Sequence, residues 1–150
     1  MAAATGRIRK VLPKGIASLS HYEPLIKDIL SIVLAAREGV SAKAFFELVE
    51  WSHLRKEQLA ELLNTSLKTL DRYRQQGKNL NPVNGEQVLK LISLFKKGQE
   101  VFGDVAAFGR WLEKPAFGLG GQVPFQLMYT SGGIDLVMEE LVRIEYGDLA

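Results

Sequence analysis

Cysteine is missing from the 150-residue sequence. That one absence excludes disulfides, thiolate metal sites and a cysteine nucleophile together; it fits a reducing compartment, and the cytoplasm is the expectation. Histidine is scarce. His21 and His53 stand apart, no carboxylate pair sits beside them at ligand spacing, and HExxH, GxSxG and Walker patterns are lacking. With no acid–base pair or nucleophile–base arrangement to assemble, the expectation is a chain that is not an enzyme and needs no cofactor or metal. Long apolar runs are missing too. The longest covers residues 29–36, interrupted by Ser31, and at ~1.5 Å per residue it falls far short of a ~30 Å hydrocarbon layer. No membrane partner is expected. The early cations Arg7, Arg9, Lys10 and Lys14 do not lead into a signal-type apolar run either.

What is present is a core-forming composition: 47% hydrophobic and 24% charged residues with two Trp place the chain among globular rather than disordered proteins. The length allows one compact domain or two very small ones. A net charge of +2 conceals an asymmetry, because residues 1–100 hold 16 basic and 10 acidic side chains while residues 101–150 hold 3 and 7. A basic front suits a polyanion and an acidic rear suits a cationic surface. The plainer alternative is that each set of charges merely solvates its own half.

Residues 1–20 carry four cations without a sustained period and read as a flexible basic arm. Pro24 suits the first turn of a helix bearing Leu25, Ile26, Ile29, Leu30, Val33 and Leu34 on more than one face, with Gly39 to end it. Ser41 suits the N-cap of a second helix with Phe45, Leu48, Val49 and Trp51, and residues 55–77 read as two short helices around Asn64-Thr65-Ser66. Residues 78–85 are crowded with turn formers and mark a boundary between substructures. Beyond it Val88, Leu91, Ile92 and Phe95 line one stripe, and Val101, Phe102, Val105, Ala106, Phe108 and Leu112 line another. A loop over residues 115–123 follows, then a short helix from Pro124 and an interruption at Ser131-Gly132-Gly133. In the last helix Ile134, Val137, Leu141 and Ile144 recur at three- and four-residue spacing before Gly147. No strand-type alternation occurs, so the fold class is all-α. Gly118, Gly120 and Gly121 superficially suggest a phosphate loop, but a helix bearing Trp111 precedes them where a strand is needed.

The sharpest pattern is a helix-turn-helix. In residues 56–63 small Ala60 sits where two helices approach closely, Asn64 four residues later takes a left-handed turn, and Leu70 six further on buries the second helix. Thr65 occupies a turn site where such motifs usually bury a branched aliphatic residue, which implies looser packing there. Ser66 caps the second helix, leaving Lys68, Thr69 and Arg72 toward the half that enters a major groove. These three suit base edges; Arg74 and Lys78, with Arg55 and Lys56, suit phosphates. The alternative is an ordinary helical hairpin with a solvated basic face.

The order of these residues resembles a family. Arg37-Glu38-Gly39-Val40-Ser41, Leu59-Ala60-Glu61-Leu62-Leu63-Asn64, Lys68-Thr69-Leu70 and Arg72 are similar to the helix-turn-helix part of the Xre antitoxins. Val101-Phe102-Gly103-Asp104, Trp111-Leu112, Pro115, Leu119-Gly120-Gly121, Pro124, Gly132-Gly133 and Ile144-Glu145-Tyr146-Gly147 resemble the Xre/MbcA/ParS toxin-binding domain. The resemblance covers residues 37–150. After the flexible arm over 1–20, it implies an Xre-like helix-turn-helix bundle, taken over 21–80, and a small helical toxin-binding domain over 81–150. It also implies two partners, operator DNA and a RES-type toxin that consumes NAD.

The residues expected to meet the toxin fall in two groups. Trp111, Lys114, Phe117, Leu119, Gly120, Gly121 and Gln122 belong to a helix end and loop where apolar groups lack a periodic face to hide on. Glu139, Glu140, Glu145, Tyr146 and Asp148 are placed on the polar side and end of the last helix. A cleft that binds the two phosphates of NAD is cationic, so the acidic end is expected to dock there and exclude substrate. Two DNA half-sites ask for symmetric copies, which makes a homodimer the expectation, with Leu25, Ile29, Ile32 and Val33 as its contact; the alternative is that this helix simply closes the core. The competing reading is a stand-alone helix-turn-helix transcriptional regulator with a C-terminal dimerisation or ligand-binding module.

Overall fold

A computed structural model of the chain describes residues 19–147, so the cations of the basic arm and Asp148 lie outside the described residues. The chain runs through a 3₁₀ turn (Ser20–Leu25), α1 (Ile29–Glu38), β1 (Val40–Ser41), α2 (Lys43–Ser52), α3 (Lys56–Leu62), α4 (Leu67–Gln75) and β2 (Asn79–Leu80). It continues through α5 (Pro82–Phe102), α6 (Val105–Leu112), a second 3₁₀ turn (Phe117–Leu119), α7 (Pro124–Leu127) and α8 (Ser131–Glu145). The fold is all-α, and the two dipeptide strands are its sole ladder among the described residues. They pair antiparallel, Val40 with Leu80 and Ser41 with Asn79. This clasp ties the end of α1 to the start of α5 and brackets α2, α3 and α4 as one excursion.

The centre of the fold is α5, which packs against α1, α2, α6 and α8. Its residues Val88, Leu89, Leu91, Ile92, Leu94 and Phe95 are all buried, more than one stripe, because neighbours cover it on several sides. One continuous apolar cluster runs from Leu19 and Tyr22 through Phe45, Leu59 and Leu70 to Phe108, Val137 and Leu141. Gly98 lies directly under the Phe108 ring, where a Cβ would collide with it, so α5 and α6 approach closely at that point.

Several local expectations are corrected. Pro24 lies inside the 3₁₀ turn, and α1 starts at Ile29 because the Asp28 side chain accepts from Ser31 N–H at 2.7 Å. Ser41 is in β1 rather than at a helix N-cap; its Oγ accepts from Lys43 N–H at 3.1 Å and the helix begins after Ala42. The turn formers of residues 78–85 end early: Asn81 caps Asn84 N–H at 2.8 Å and Pro82 starts α5. Gly85 is therefore helical, set against Val40. Gly103, with φ 96°, splits the second apolar stripe, so Val101 and Phe102 end α5 while Asp104 caps α6 through Ala107 N–H at 2.7 Å. Ser131-Gly132-Gly133 opens α8 rather than interrupting a helix. Thr130 Oγ1 accepts from Gly133 N–H at 3.0 Å, and a Cβ on Gly133 would collide with the Leu127 carbonyl. In α1, Ile32 is 4% exposed and faces the core, so the exposed apolar side of that helix is Ile29, Leu30 and Leu34 instead.

Candidate functional site

The helix-turn-helix is formed by α3 and α4. Asn64 takes the left-handed conformation at φ 54°. Its N–H donates to the Glu61 carbonyl at 2.9 Å and Thr65 N–H donates to the Ala60 carbonyl at 3.1 Å, the paired bonds of a Schellman stop. Asn tolerates this backbone because its short polar side chain reduces the steric cost. Ala60, Leu63 and Leu70 are buried beneath the turn and Thr65 is half-buried, so the leucines supply most of the apolar contact there.

Ser66 caps α4 as expected, its Oγ accepting from Thr69 N–H at 3.1 Å and donating to Thr69 Oγ1 at 2.8 Å. Lys68 and Arg72 are exposed on one side of α4, while Thr69 is half-buried and held by Ser66. Arg74 and Lys78 are also exposed but engaged. The Arg74 guanidinium lies 4.0 Å over the Phe46 ring and bonds Asp71 Oδ1 at 3.0 Å, and the Lys78 ammonium lies 5.4 Å from the Tyr73 ring. Arg74 thus joins α4 to α2 as well as adding charge. The outward face carries Lys68 in the first turn of α4, Arg72 and Arg74 in its last turn and Lys78 just beyond it, an arrangement able to meet phosphates and base edges at once.

The second cluster follows α5 in the chain, at the end of α6 and the second 3₁₀ turn. Trp111 is half-buried, its ring 5.5 Å from that of Phe102 and 6.0 Å from that of Phe108. Leu119 is half-buried as well, whereas Lys114, Gly120, Gly121 and Gln122 are exposed. Phe117 projects with 90% of its surface in solvent. The structure therefore brings these loop residues together as one surface with a single prominent aromatic.

The acidic group divides. Glu139 is exposed and Tyr146 is largely so. Glu145 pairs with Lys97 at 3.0 Å, a hydrogen bond that holds the Lys97 ammonium above its ordinary pKa. Glu140 contradicts its expected place on the polar side of the last helix: it is completely buried. Its position is three residues after Val137 and four before Ile144, so it belongs geometrically to the inward stripe, and its polarity disguised that. Arg143, one turn ahead, neutralises it, with Nε at 2.9 Å and a terminal amine at 2.6 Å from Oε1. The same amine lies 3.4 Å from the Gly118 carbonyl. Arg143 escaped the sequence reading, and Gly118 was read only as a loop glycine; the signal available was an acid on the apolar stripe with an arginine three residues later.

A buried polar network also fastens α5 to the start of α8. Lys90 Nζ donates to Ser131 Oγ at 2.7 Å and Asp135 Oδ2 at 2.9 Å, and Ser131 Oγ donates to Glu86 Oε2 at 2.6 Å. Lys90 Nζ also lies 3.5 Å from Glu86 Oε2, so this Ser–Lys contact is one strand of an ion-pair network that ties the two helices together. No group of three or more potential metal ligands occurs among the described residues. No described helix is long and apolar enough to cross a membrane.

No curated protein matches the chain. Residues 31–93 match the antitoxin Xre-like helix-turn-helix domain, and residues 97–147 match the antitoxin Xre/MbcA/ParS C-terminal toxin-binding domain. The junction between the two matches falls inside α5, so one helix serves both. With the capped and exposed α4 in the first match and the Phe117 surface in the second, the chain belongs to the Xre family of antitoxins.

Proposed function

We propose that this chain neutralises an NAD-consuming RES-type toxin by covering its active site, and that it represses its own operon through α4. The observation carrying the reading is that an exposed aromatic loop stands within the residues matching a toxin-binding domain, on the same fold as an outward basic helix. Large aromatics exposed on a well-packed scaffold are the usual anchors of protein interfaces. The division of labour follows residues 21–80 for DNA and 81–150 for toxin. Neutralisation is by binding, with no turnover by this chain, and takes place in the cytoplasm.

On the DNA side Lys68, Thr69 and Arg72 read bases while Ser66, Arg74 and Lys78 hold the backbone. A homodimer would place two such helices ~34–36 Å apart, one turn of duplex. The exposed Ile29, Leu30 and Leu34 of α1 support it, because an apolar strip of this kind is commonly covered by another surface. On the toxin side Trp111, Lys114, Phe117, Leu119, Gly120, Gly121 and Gln122 form the contact, flanked by Glu139, Glu145 and Tyr146.

Co-expression of the chain with the RES-type toxin of an adjacent gene tests the reading. Growth and cellular NAD should recover, the two proteins should copurify, and saturating NAD should weaken the complex. Failure to rescue growth overturns neutralisation. Binding indifferent to NAD overturns occlusion of the active site.

A further inference from the structure

Phe117 is exposed, but its turn is closed from within. Leu119 and Gly121 N–H both donate to the Ala116 carbonyl, at 3.1 and 3.0 Å, and Ala116 N–H donates to the Gln122 carbonyl at 2.9 Å. Beneath this turn lies the fully buried Glu140, and Gly118 rests directly on it: a Cβ there would collide with both carboxylate oxygens. Arg143 bridges the two, holding Glu140 Oε1 and reaching the Gly118 carbonyl. Glu140 Oε2 has no hydrogen-bond partner among the described residues.

A buried ion pair is a poor source of stability, since well-packed apolar residues of similar volume commonly do as well or better. An apolar residue at position 140 would simply join Val137 and Leu141 in the core. The charged pair does something an apolar side chain would not: through Arg143 it donates to the turn's backbone at the Gly118 carbonyl, with the carboxylate set where a Cβ on Gly118 would lie. Holding a recognition loop in its bound shape reduces the ordering cost of association.

We propose that Glu140 and Arg143 are positioning residues, a latch under the 3₁₀ turn that presents Phe117 as a preformed knob for an apolar recess on the toxin. This rests on the toxin-binding reading above. The exposed Gly120, Gly121 and Gln122 beside the knob suit a recess that is apolar at its floor and polar at its rim.

The test is a double-mutant cycle on the full chain, combined with hydrogen exchange on the free protein. Phe117→Ala should weaken toxin binding ~30-fold or more while leaving the thermal midpoint and operator binding unchanged. Arg143→Ala should weaken binding about tenfold when Phe117 is present and less than about twofold in the Phe117→Ala background, because the latch acts through the knob. In the free chain Arg143→Ala should speed exchange at Gly120 and Gly121 with no change in α4. If Arg143→Ala fails to fold, Gly118→Ala provides the same cycle by forcing the turn off the carboxylate. Unchanged binding by Phe117→Ala, additive losses, or unchanged exchange at Gly120 and Gly121 would each overturn the latch. A wild-type chain that does not bind the toxin, yet shows the exchange effect, overturns the toxin reading and leaves the turn's restraint standing.

Discussion

Lys68 and Arg72 make no ion pair among the described residues, although the Arg72 guanidinium lies 5.5 Å from the Tyr73 ring, whereas Arg74 is paired with Asp71 as well as stacked on Phe46, and that pairing separates their roles. Lys68→Ala or Arg72→Ala should lower operator affinity by ~1–3 kcal/mol each, with loss of discrimination between sequences and toxin neutralisation intact. A gel-shift series with cognate and scrambled duplexes reads this out. Arg74→Ala should flatten the salt dependence by ~0.9 per lost contact and also lower the thermal midpoint, because its guanidinium covers Phe46. At the other end of the core, Tyr22 OH donates to Glu47 Oε1 at 2.6 Å, and burial pushes the phenol's pKa well above its ordinary value. The neutral phenol is the form favoured in the folded state. Its stabilisation is complete below the unfolded pKa of ~10 and is lost as pH rises toward the folded value. Denaturation midpoints measured upward from pH 9 should therefore fall with pH, and Tyr22→Phe should reduce that slope.

The last helix shows how packing decides the fate of like residues. Glu139→Lys, on the exposed side of α8, should leave the fold intact and slow toxin association at low salt, since exposed charges contribute only ~0–1 kcal/mol each. Glu140→Lys should unfold the helix's end, because it sets a cation at a fully buried position against the Arg143 guanidinium. Stopped-flow association for the first and circular dichroism for the second distinguish them. Much of each element was legible in sequence where one residue sets the backbone: Asn64, Ser66, Gly39 and Pro124 act as their chemistry dictates. What was illegible depended on residues distant in sequence. Gly85 and Gly133 are helical because Asn81 and Thr130 cap the helices that contain them, and nothing near either glycine announces Val40 or the Leu127 carbonyl, the neighbours that an added Cβ would meet. The Glu140 carboxylate reads as solvent-facing until the turn at Gly118 is laid over it. The exposure of Phe117 was legible, because it has no periodic partner to bury it, whereas Trp111 and Leu119, read as equally unsheltered, pack against the core.

At the scale of the whole molecule, α5 is common property: it packs on α1, α2, α6 and α8 alike, inside one apolar cluster. Thermal unfolding should therefore be a single transition, with equal calorimetric and van't Hoff enthalpies and coincident midpoints from Trp51 in the first half and Trp111 in the second. Truncation after Gly133 removes Ile134, Val137 and Leu141 from that cluster, each contributing ~1.5–3 kcal/mol when fully buried. It should lower the stability of the DNA-binding half too, measured as denaturant resistance of operator binding. The shared helix has a consequence for the lifetime of the protein in a cell. A protease that waits for the chain to open finds no linker between the halves to nick, so no DNA-binding remnant outlives the toxin-binding surface. Limited digestion should yield intact chain and small peptides without a stable intermediate of half the length. Promoter release and toxin release would then be timed by one and the same opening event.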